Sequence, residues 1–471
     1  MWVNATINAV FDANSIGAIL IAQQCPFDLC KTGKKTVILK DDPNVQCAFN
    51  HAGRLCGGCK ENYSLAIGSS HCIHCPNNNN LALLIFFAAA GFLLVLFISV
   101  LNLTVTQGMI NGLIFYANII WAYKSILFPQ HKVDSLVFLE TFIAWINLDF
   151  GIQTCFFNGL NAFWKTWLQY IFPFYIWVIA GIIIVGAKHS TLLTKIIGSR
   201  AVPILATLFF LSYTKLLHTI IASVGFTPLK VISDVKNSTL VVWSLDGHYG
   251  YCHFPHILLF IVALTILLFI WVPYTLLLFL VKWLRKISHL KYFRWITRFN
   301  PVYDAYFASL KDKHQYWFGV LLLVRGTLLI IFTSTCTINP NINLLVLLMT
   351  AALLLCYANY RQVYKNKVIQ LMENFFLLTL ILVGGAGLFE KNIKYKVVYV
   401  SIGAGFLVFC GIVLWSVFAQ FHQGTQLCHH NGQAGQVQRM ANVHVEVSDN
   451  AQFRDSILEE TQPLIRTTNT Y

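Results

Sequence analysis

Apolar and polar residues along this chain are sorted into blocks. Residues 81–101 and 257–281 are apolar runs without a single charge, each at or past the roughly 20 residues a helix needs to cross hydrocarbon. Similar runs recur with short polar connectors between them. The pattern predicts nine spanning helices at 81–103, 109–128, 166–187, 201–225, 256–281, 316–336, 344–360, 368–389 and 397–419. Backbone groups in lipid must pair within their own segment, so each run reads as helix despite its β-branched residues. Pro173, Pro203 and Pro273 mark starts or kinks. Two flanks differ. Residues 1–80 are turn-rich, with a short strand expected at 36–39 and a polar spacer at 77–80. Residues 420–471 carry too few large apolar side chains for a core and read as a disordered tail.

The expected fold is therefore an all-α polytopic membrane bundle over 81–419, with a small disulfide-rich N-terminal domain over 1–80 and a cytosolic tail over 420–471. The N-terminus is expected outside and the C-terminus inside, because the connectors near 188–200, 282–315 and 361–367 hold fourteen Lys and Arg. Those near 129–165, 226–255 and 390–396 hold seven, and cytoplasmic loops carry the basic excess. The glycosylation triplets at Asn4, Asn62 and Asn237 fall on the outer side of that arrangement. Segment 136–160 is apolar and aromatic yet contains Glu140, Asp149 and Cys155. A tenth span there inverts everything downstream, so it reads as an interfacial or re-entrant helix on the outer face.

Composition agrees with lipid as the main solvent: 57% of residues are hydrophobic and 11% charged, against about 25% charged in soluble domains. The net charge of +14 does not imply a nucleic-acid partner. Eight of the basic residues, from Lys282 to Lys313, crowd into one connector between apolar blocks. Residues 1–22 lack a basic n-region and a long apolar run, so no secretory signal opens the chain. Either the first span exports what precedes it or Met1 is not the natural start; the second is expected.

Cysteines are concentrated ahead of the first span, at Cys25, Cys30, Cys47, Cys56, Cys59, Cys72 and Cys75. The pairs Cys56/Cys59 and Cys72/Cys75 have zinc-ribbon spacing. Outside the cytosol thiols oxidise, and so small a domain needs crosslinks; disulfides are the expectation and no metal is assigned. Seven is odd. Cys155 and Cys252, both in outer connectors, are candidates to bridge each other, and the leftover thiol has Cys336, another chain or an upstream residue as candidate partners.

Four ionisable residues fall inside predicted spans: Lys215 with His218 one turn on, Arg325, and Glu373. A charge at mid-bilayer costs roughly 2.5–3.5 kcal/mol on insertion scales. One acid against two bases suggests Glu373 paired with Lys215 or Arg325, either as a structural ion pair or beside a permeation pathway; snorkelling is the other option. In the tail, Glu460 precedes Leu464 and Ile465 in the arrangement of an acidic dileucine sorting signal, which implies a clathrin adaptor as partner and the plasma or endo-lysosomal membrane as location.

Arg54-Leu-Cys-Gly-Gly-Cys-Lys-Glu-Asn-Tyr-Ser, Gly112-Leu-Ile-Phe-Tyr-Ala-Asn and Asn147-Leu-Asp-Phe-Gly-Ile-Gln-Thr-Cys155 resemble stretches of uncharacterised animal multi-pass membrane proteins that join a cysteine-rich ectodomain to a helical bundle. The cysteine segment is also similar to ephrin-receptor-like and growth-factor-like (EGF-like) modules. More distantly, Asp304-Ala-Tyr, Tyr316-Trp317 with Arg325, and Tyr364-Lys-Asn-Lys before Glu373 resemble fungal transient-receptor-potential-like and polycystin-related channels. The resemblance implies a channel- or transporter-like protein. The alternative is an orphan surface receptor or adhesion protein whose cysteine-rich domain binds an extracellular ligand. No His-Glu-x-x-His, Gly-x-Ser-x-Gly or intramembrane Asp pair is present, so neither an enzyme nor a cofactor is expected.

Overall fold

The computed structural model describes residues 50–53, 56–69, 71–75, 81–123, 137–149, 154–187, 200–231, 238–280, 300–334, 340–389 and 395–419, with Cys47, Leu127, Trp283 and scattered positions between 189 and 197. Among the described residues the chain is mostly helical, and eight helices are long and apolar enough to cross a membrane. They are α1 (Leu81–Leu101), α4 (Ala162–Gly186), α5 (Ala201–Val224), α6 (His256–Phe279), α8 (Trp317–Ser334), α9 (Pro340–Arg361), α10 (Lys367–Gly387) and α11 (Tyr395–Ala419). The ninth expected span is helical over Met109–Ala122 (α2), which at 14 residues falls short of that length. Two further short helices are α3 (Val137–Ile146) and α7 (Asn300–Phe307). The described residues divide into two compact units, one through Val413 and one from Leu414.

Outward faces are apolar: Leu84, Ile85 and Leu93 of α1 and Val178 and Ile182 of α4 are all more than half exposed. Such broad exposed apolar surface is stable only against lipid. α2 is the reverse, with 12 of its 14 residues buried, and it packs against α10, α8 and α3. Local chemistry sets several ends. Asn161 accepts from Trp164 N at 3.1 Å and Asn366 from Val368 N at 2.8 Å, capping α4 and α10. Within α6, residues Leu267–Trp271 form a π turn in which Val272 N bonds Leu267 O. Pro273 follows directly; it has no N–H for the helical ladder, and the extra residue accommodates its ring.

Two ends of the bundle can be told apart by what meets there. At one, short hairpins β1–β2 (His51–Ala52, Gly58–Cys59) and β3–β4 (Tyr63–Leu65, Cys72–His74) carry disulfides Cys47–Cys56 and Cys59–Cys72. They rest on the α3–α4 connector and on the loop after a third hairpin, β5 (Phe226–Val231) with β6 (Ser238–Trp243). A Cβ on Gly57 would lie 2.0 Å from Leu245 O, so no other residue fits that contact. At the opposite end, Val105 N bonds Thr207 Oγ1 at 2.9 Å, Lys311 N bonds Val363 O at 2.9 Å and Lys365 N bonds Ser309 O at 3.0 Å. These bonds gather the connectors 102–108, 308–316 and 361–366.

The approach of α8 to the end of α6 depends on a glycine. A Cβ on Gly319 of α8 would lie 2.6 Å from the Phe279 Cα and 2.8 Å from its N. Backbone cannot swing away, so Gly319→Ala is expected to cost about 1–3 kcal/mol, read as a lowered melting temperature in lipid nanodiscs. Gly181→Ala, with nothing within 4 Å, serves as the control that melts like the parent.

Candidate functional site

α3 is ten residues long, about 15 Å at 1.5 Å per residue, or half a hydrocarbon core. It ends in an αL turn at Leu148 (φ 53) with Asp149 N bonded to Ala144 O at 2.8 Å. This is the position where glycine is usual; leucine there costs about 1–2 kcal/mol, against which its side chain is buried. The turn sets Asn147 and Asp149 deep in the bundle. By Thr154 and Leu160 the chain is back at the disulfide end, where their carbonyls accept from Ile67 N and Leu65 N.

Asp149 meets Lys215 there, with Nζ to Oδ2 at 3.3 Å and side chains 14% and 7% exposed. Lys215 lies nine residues from the end of α5, about 14 Å along the helix. Its neighbour Thr214 donates to Asn118 Oδ1 at 2.6 Å. Asn118 Nδ2 donates to Asn147 Oδ1 at 2.8 Å, and Asn147 Nδ2 donates to Ala117 O at 3.0 Å and Ile143 O at 2.8 Å. Each amide is satisfied in one orientation only, which ties α2, α3 and α5 together.

Arg325 of α8 completes this group. It is 1% exposed; Nη1 donates to Asn118 Oδ1, and the guanidinium lies 4.6 Å from the Phe210 ring centroid and 4.5 Å from that of Tyr213. Its Nε and Nη2 have no hydrogen-bond partner. Among the described residues no carboxylate lies within ion-pairing distance of it.

Hydroxyl groups continue the polar file toward the opposite end. Tyr213 OH donates to Leu322 O at 3.2 Å and accepts from Thr275 at 3.3 Å. Tyr274 OH donates to Tyr306 OH at 2.7 Å, which donates to Ala206 O at 2.6 Å. Burial, then the neighbouring Tyr274, push the Tyr306 hydroxyl well above its ordinary range, so it stays a donor at physiological pH. Trp271, displaced by the π turn, stacks on Tyr213 with centroids 5.1 Å apart. Buried polar side chains thus run from the turn after α3, through α5 and α8, to α7.

Several expected pairings come out differently. Glu373 meets neither base: it packs against α2 at Gly112, six residues and about 9 Å of helix from Asn118. The acid that reaches Lys215 is Asp149, because the αL turn at Leu148 sets it beside α5. His218 is half-buried one turn along α5 from Lys215. Cys155 bonds Cys75 instead of Cys252, and Cys252 is exposed without a disulfide among the described residues. Crosslinking Cys59 to Cys72 and Cys47 to Cys56 also takes thiols from the zinc-ribbon alternative. Asn62 is exposed in a turn at φ 65. Asn4, Asn237, Cys25, Cys30, Cys336, Glu460, Leu464 and Ile465 lie outside the described residues. The amides Asn118 and Asn147 and the tyrosines Tyr274 and Tyr306 were not anticipated. Neutral polar residues raise no alarm in an apolar run, although Asn111 and Asn118, seven apart on one helix face, are a usable signal.

No protein-family model, curated protein or solved structure matches the chain, and it is the eight apolar helices that make it a multi-pass membrane protein.

Proposed function

We propose that this chain is a nine-span, channel- or transporter-like membrane protein that passes a small anion along the file centred on Arg325. α2 is the ninth crossing in this reading. Its Gly108 end abuts Ser309, while Tyr123 beyond its other end donates to Asn343 O at 3.3 Å near the start of α9. Nine crossings put the termini on opposite sides, and the basic connectors assign the end holding 308–316 and 361–366 to the cytosol. The cysteine-rich domain is then extracellular or lumenal.

The observation that carries the transport reading is the Arg325 guanidinium, buried with two donors unpartnered and, among the described residues, no acid in contact. Lys215 is neutralised by Asp149; Arg325 is not, so the file has an excess positive charge. A buried intramembrane charge facing the bundle interior marks a pathway by default. Irregular backbone at mid-depth, here the turn after α3 and the π turn of α6, is a feature of transport sites. The resemblance of the 304–373 region to transient-receptor-potential-like channels points the same way.

The test is whole-cell recording with surface delivery measured by biotinylation, in a chain carrying Leu464→Ala and Ile465→Ala to keep it at the plasma membrane. An expression-dependent current whose reversal potential shifts when external chloride is replaced by gluconate is expected. Well-delivered protein that passes no current under voltage, stretch or calcium favours the receptor reading. That second reading has its own support: the ectodomain is joined to the re-entrant segment by Cys75–Cys155 and by Leu65 N bonded to Leu160 O at 2.9 Å, and to α4 by Lys165 Nζ bonded to Ala66 O at 3.0 Å. A ligand on the ectodomain would act directly on the segment that holds Asp149.

A further inference from the structure

Glu373 is unused by the polar file. It is 2% exposed, and its Oε1 has no hydrogen-bond partner. A Cβ on Gly112 would lie 2.8 Å from Glu373 Oε2 and 3.0 Å from Phe376 Cδ2, so glycine makes room for the carboxyl group against α2. One turn toward the 308–316 end, Gly108, at φ 73, does the same for Ser309: a Cβ there would lie 2.8 Å from Ser309 Cβ and 3.0 Å from its Oγ. Ile369, one turn from Glu373 on α10, closes that level at 3.1 Å.

Between these two glycines stands Asn111. Its Nδ2 donates to Val105 O at 3.3 Å, leaving Oδ1 buried without a donor. Ser309 Oγ and Thr106 Oγ1 are likewise buried without a partner. The segment 105–112, the connector 308–316 and α10 therefore bring four unpartnered side-chain oxygens to one region: Thr106 Oγ1, Asn111 Oδ1, Ser309 Oγ and Glu373 Oε1. Leaving one buried polar group unsatisfied costs about 1–3 kcal/mol, so four together call for an occupant. Tyr364 borders the site: its hydroxyl hydrogen-bonds the Glu373 carboxylate, which leaves Oε1 as the oxygen without a partner, and burial, then that carboxylate, push the hydroxyl well above the ordinary range. The nearby Lys365 does not fill the gap, since it is half exposed and faces the exposed Asp312 at 3.8 Å.

We infer that Glu373, Ser309, Asn111 and Thr106 hold a monovalent alkali cation, with sodium as the fitting size. All four free atoms are oxygens, the ligands of hard cations, and only one belongs to an acid. A single positive charge on one carboxylate leaves the buried site neutral. Calcium would leave it with a net charge, which burial disfavours, and calcium sites normally gather several carboxylates. A proton on Glu373 would satisfy one acceptor and leave Asn111 Oδ1 bare.

Full-length protein in lipid nanodiscs is melted at constant ionic strength in sodium, potassium or N-methyl-D-glucamine chloride. A saturable rise in melting temperature with sodium is expected, absent in Glu373→Gln and shifted at least tenfold to higher sodium in Ser309→Ala. Glu140→Gln, an acid at the opposite end of the bundle, keeps the parent response. Equal melting in sodium and N-methyl-D-glucamine overturns the assignment, as does a sodium response that survives Glu373→Gln or a response to millimolar calcium alone. If Glu373→Gln does not yield monodisperse protein, the Ser309→Ala titration decides. Binding is read without flux, so a failed transport assay leaves this site standing.

Discussion

Arg325→Met is expected to melt at or above the parent temperature while the anion current falls at least tenfold. The energies that bear on Arg325 nearly cancel. Taking a cation out of water costs several kcal/mol even after relaxation. Against that stand one charge-assisted hydrogen bond to Asn118, worth about 1.5–3 kcal/mol, and two ring contacts at 4.5 and 4.6 Å, worth about 2 kcal/mol when desolvated. Nε and Nη2 contribute nothing because they have no partner. Methionine is unbranched, fills the space between Phe210 and Tyr213 with a thioether that suits aromatic rings, and leaves Asn118 Oδ1 its bond from Thr214. The expected change in stability is therefore between zero and about 2 kcal/mol in favour of the variant. Thermal melting in nanodiscs and whole-cell recording check the two halves separately. A loss of more than about 2 kcal/mol, with the current unchanged, would make Arg325 a packing device.

Stability and transport diverge in that prediction because the group is retained at a cost. Most of the bundle does not work this way, and most of it was readable. Hydrocarbon demands a continuous apolar run of fixed length, so the starts at Leu81, Met109, Ala201 and His256 agree with the sequence to the residue. α4 begins four residues before the expected 166, because Asn161 caps the helix ahead of its apolar run. Lys215, Arg325 and Glu373 were conspicuous for the same reason: a charge in such a run has few explanations. Their partners were not legible. Which acid reaches Lys215 depends on a chain reversal at Leu148, a single residue in a left-handed conformation that no periodicity announces. The Cys75–Cys155 bond was hidden too, since it joins cysteines 80 residues apart across α1 and α2. Spacing rules for cysteines see only local pairs, and they suggested Cys252 because it shared an outer connector class with Cys155.

That disulfide holds one side of the α3–α4 connector, where Cys155 is bonded covalently and Gly159 N bonds Ser64 Oγ at 2.9 Å. On the other side Asn147 is held by amide bonds and Asp149 by the ion pair, and the ion pair is the part whose strength depends on burial.

Breaking that ion pair one residue at a time is expected to have a larger effect on stability than removing both charges. Asp149→Leu leaves the Lys215 ammonium, 7% exposed, without a counter-charge about 14 Å from the helix end. The loss should approach the 3–5 kcal/mol typical of an orphaned buried charge. Lys215→Met leaves the more exposed Asp149 and should cost less, about 2–3 kcal/mol. The double variant Lys215→Met with Asp149→Leu removes both charges and restores apolar volume, so it should recover most of the loss. The two single losses then sum to well above the loss of the double variant, and a coupling energy of at least about 3 kcal/mol in the double-mutant cycle follows. Melting temperatures of the four proteins in nanodiscs measure it, and simple additivity would show that the 3.3 Å contact carries no net interaction. The same four proteins separate structure from transport. If the pair only holds α3 against α5, the double variant regains current along with stability. If Lys215 belongs to the anion path, stability returns and the current does not, because charge in the path has been lost while the packing that held it remains.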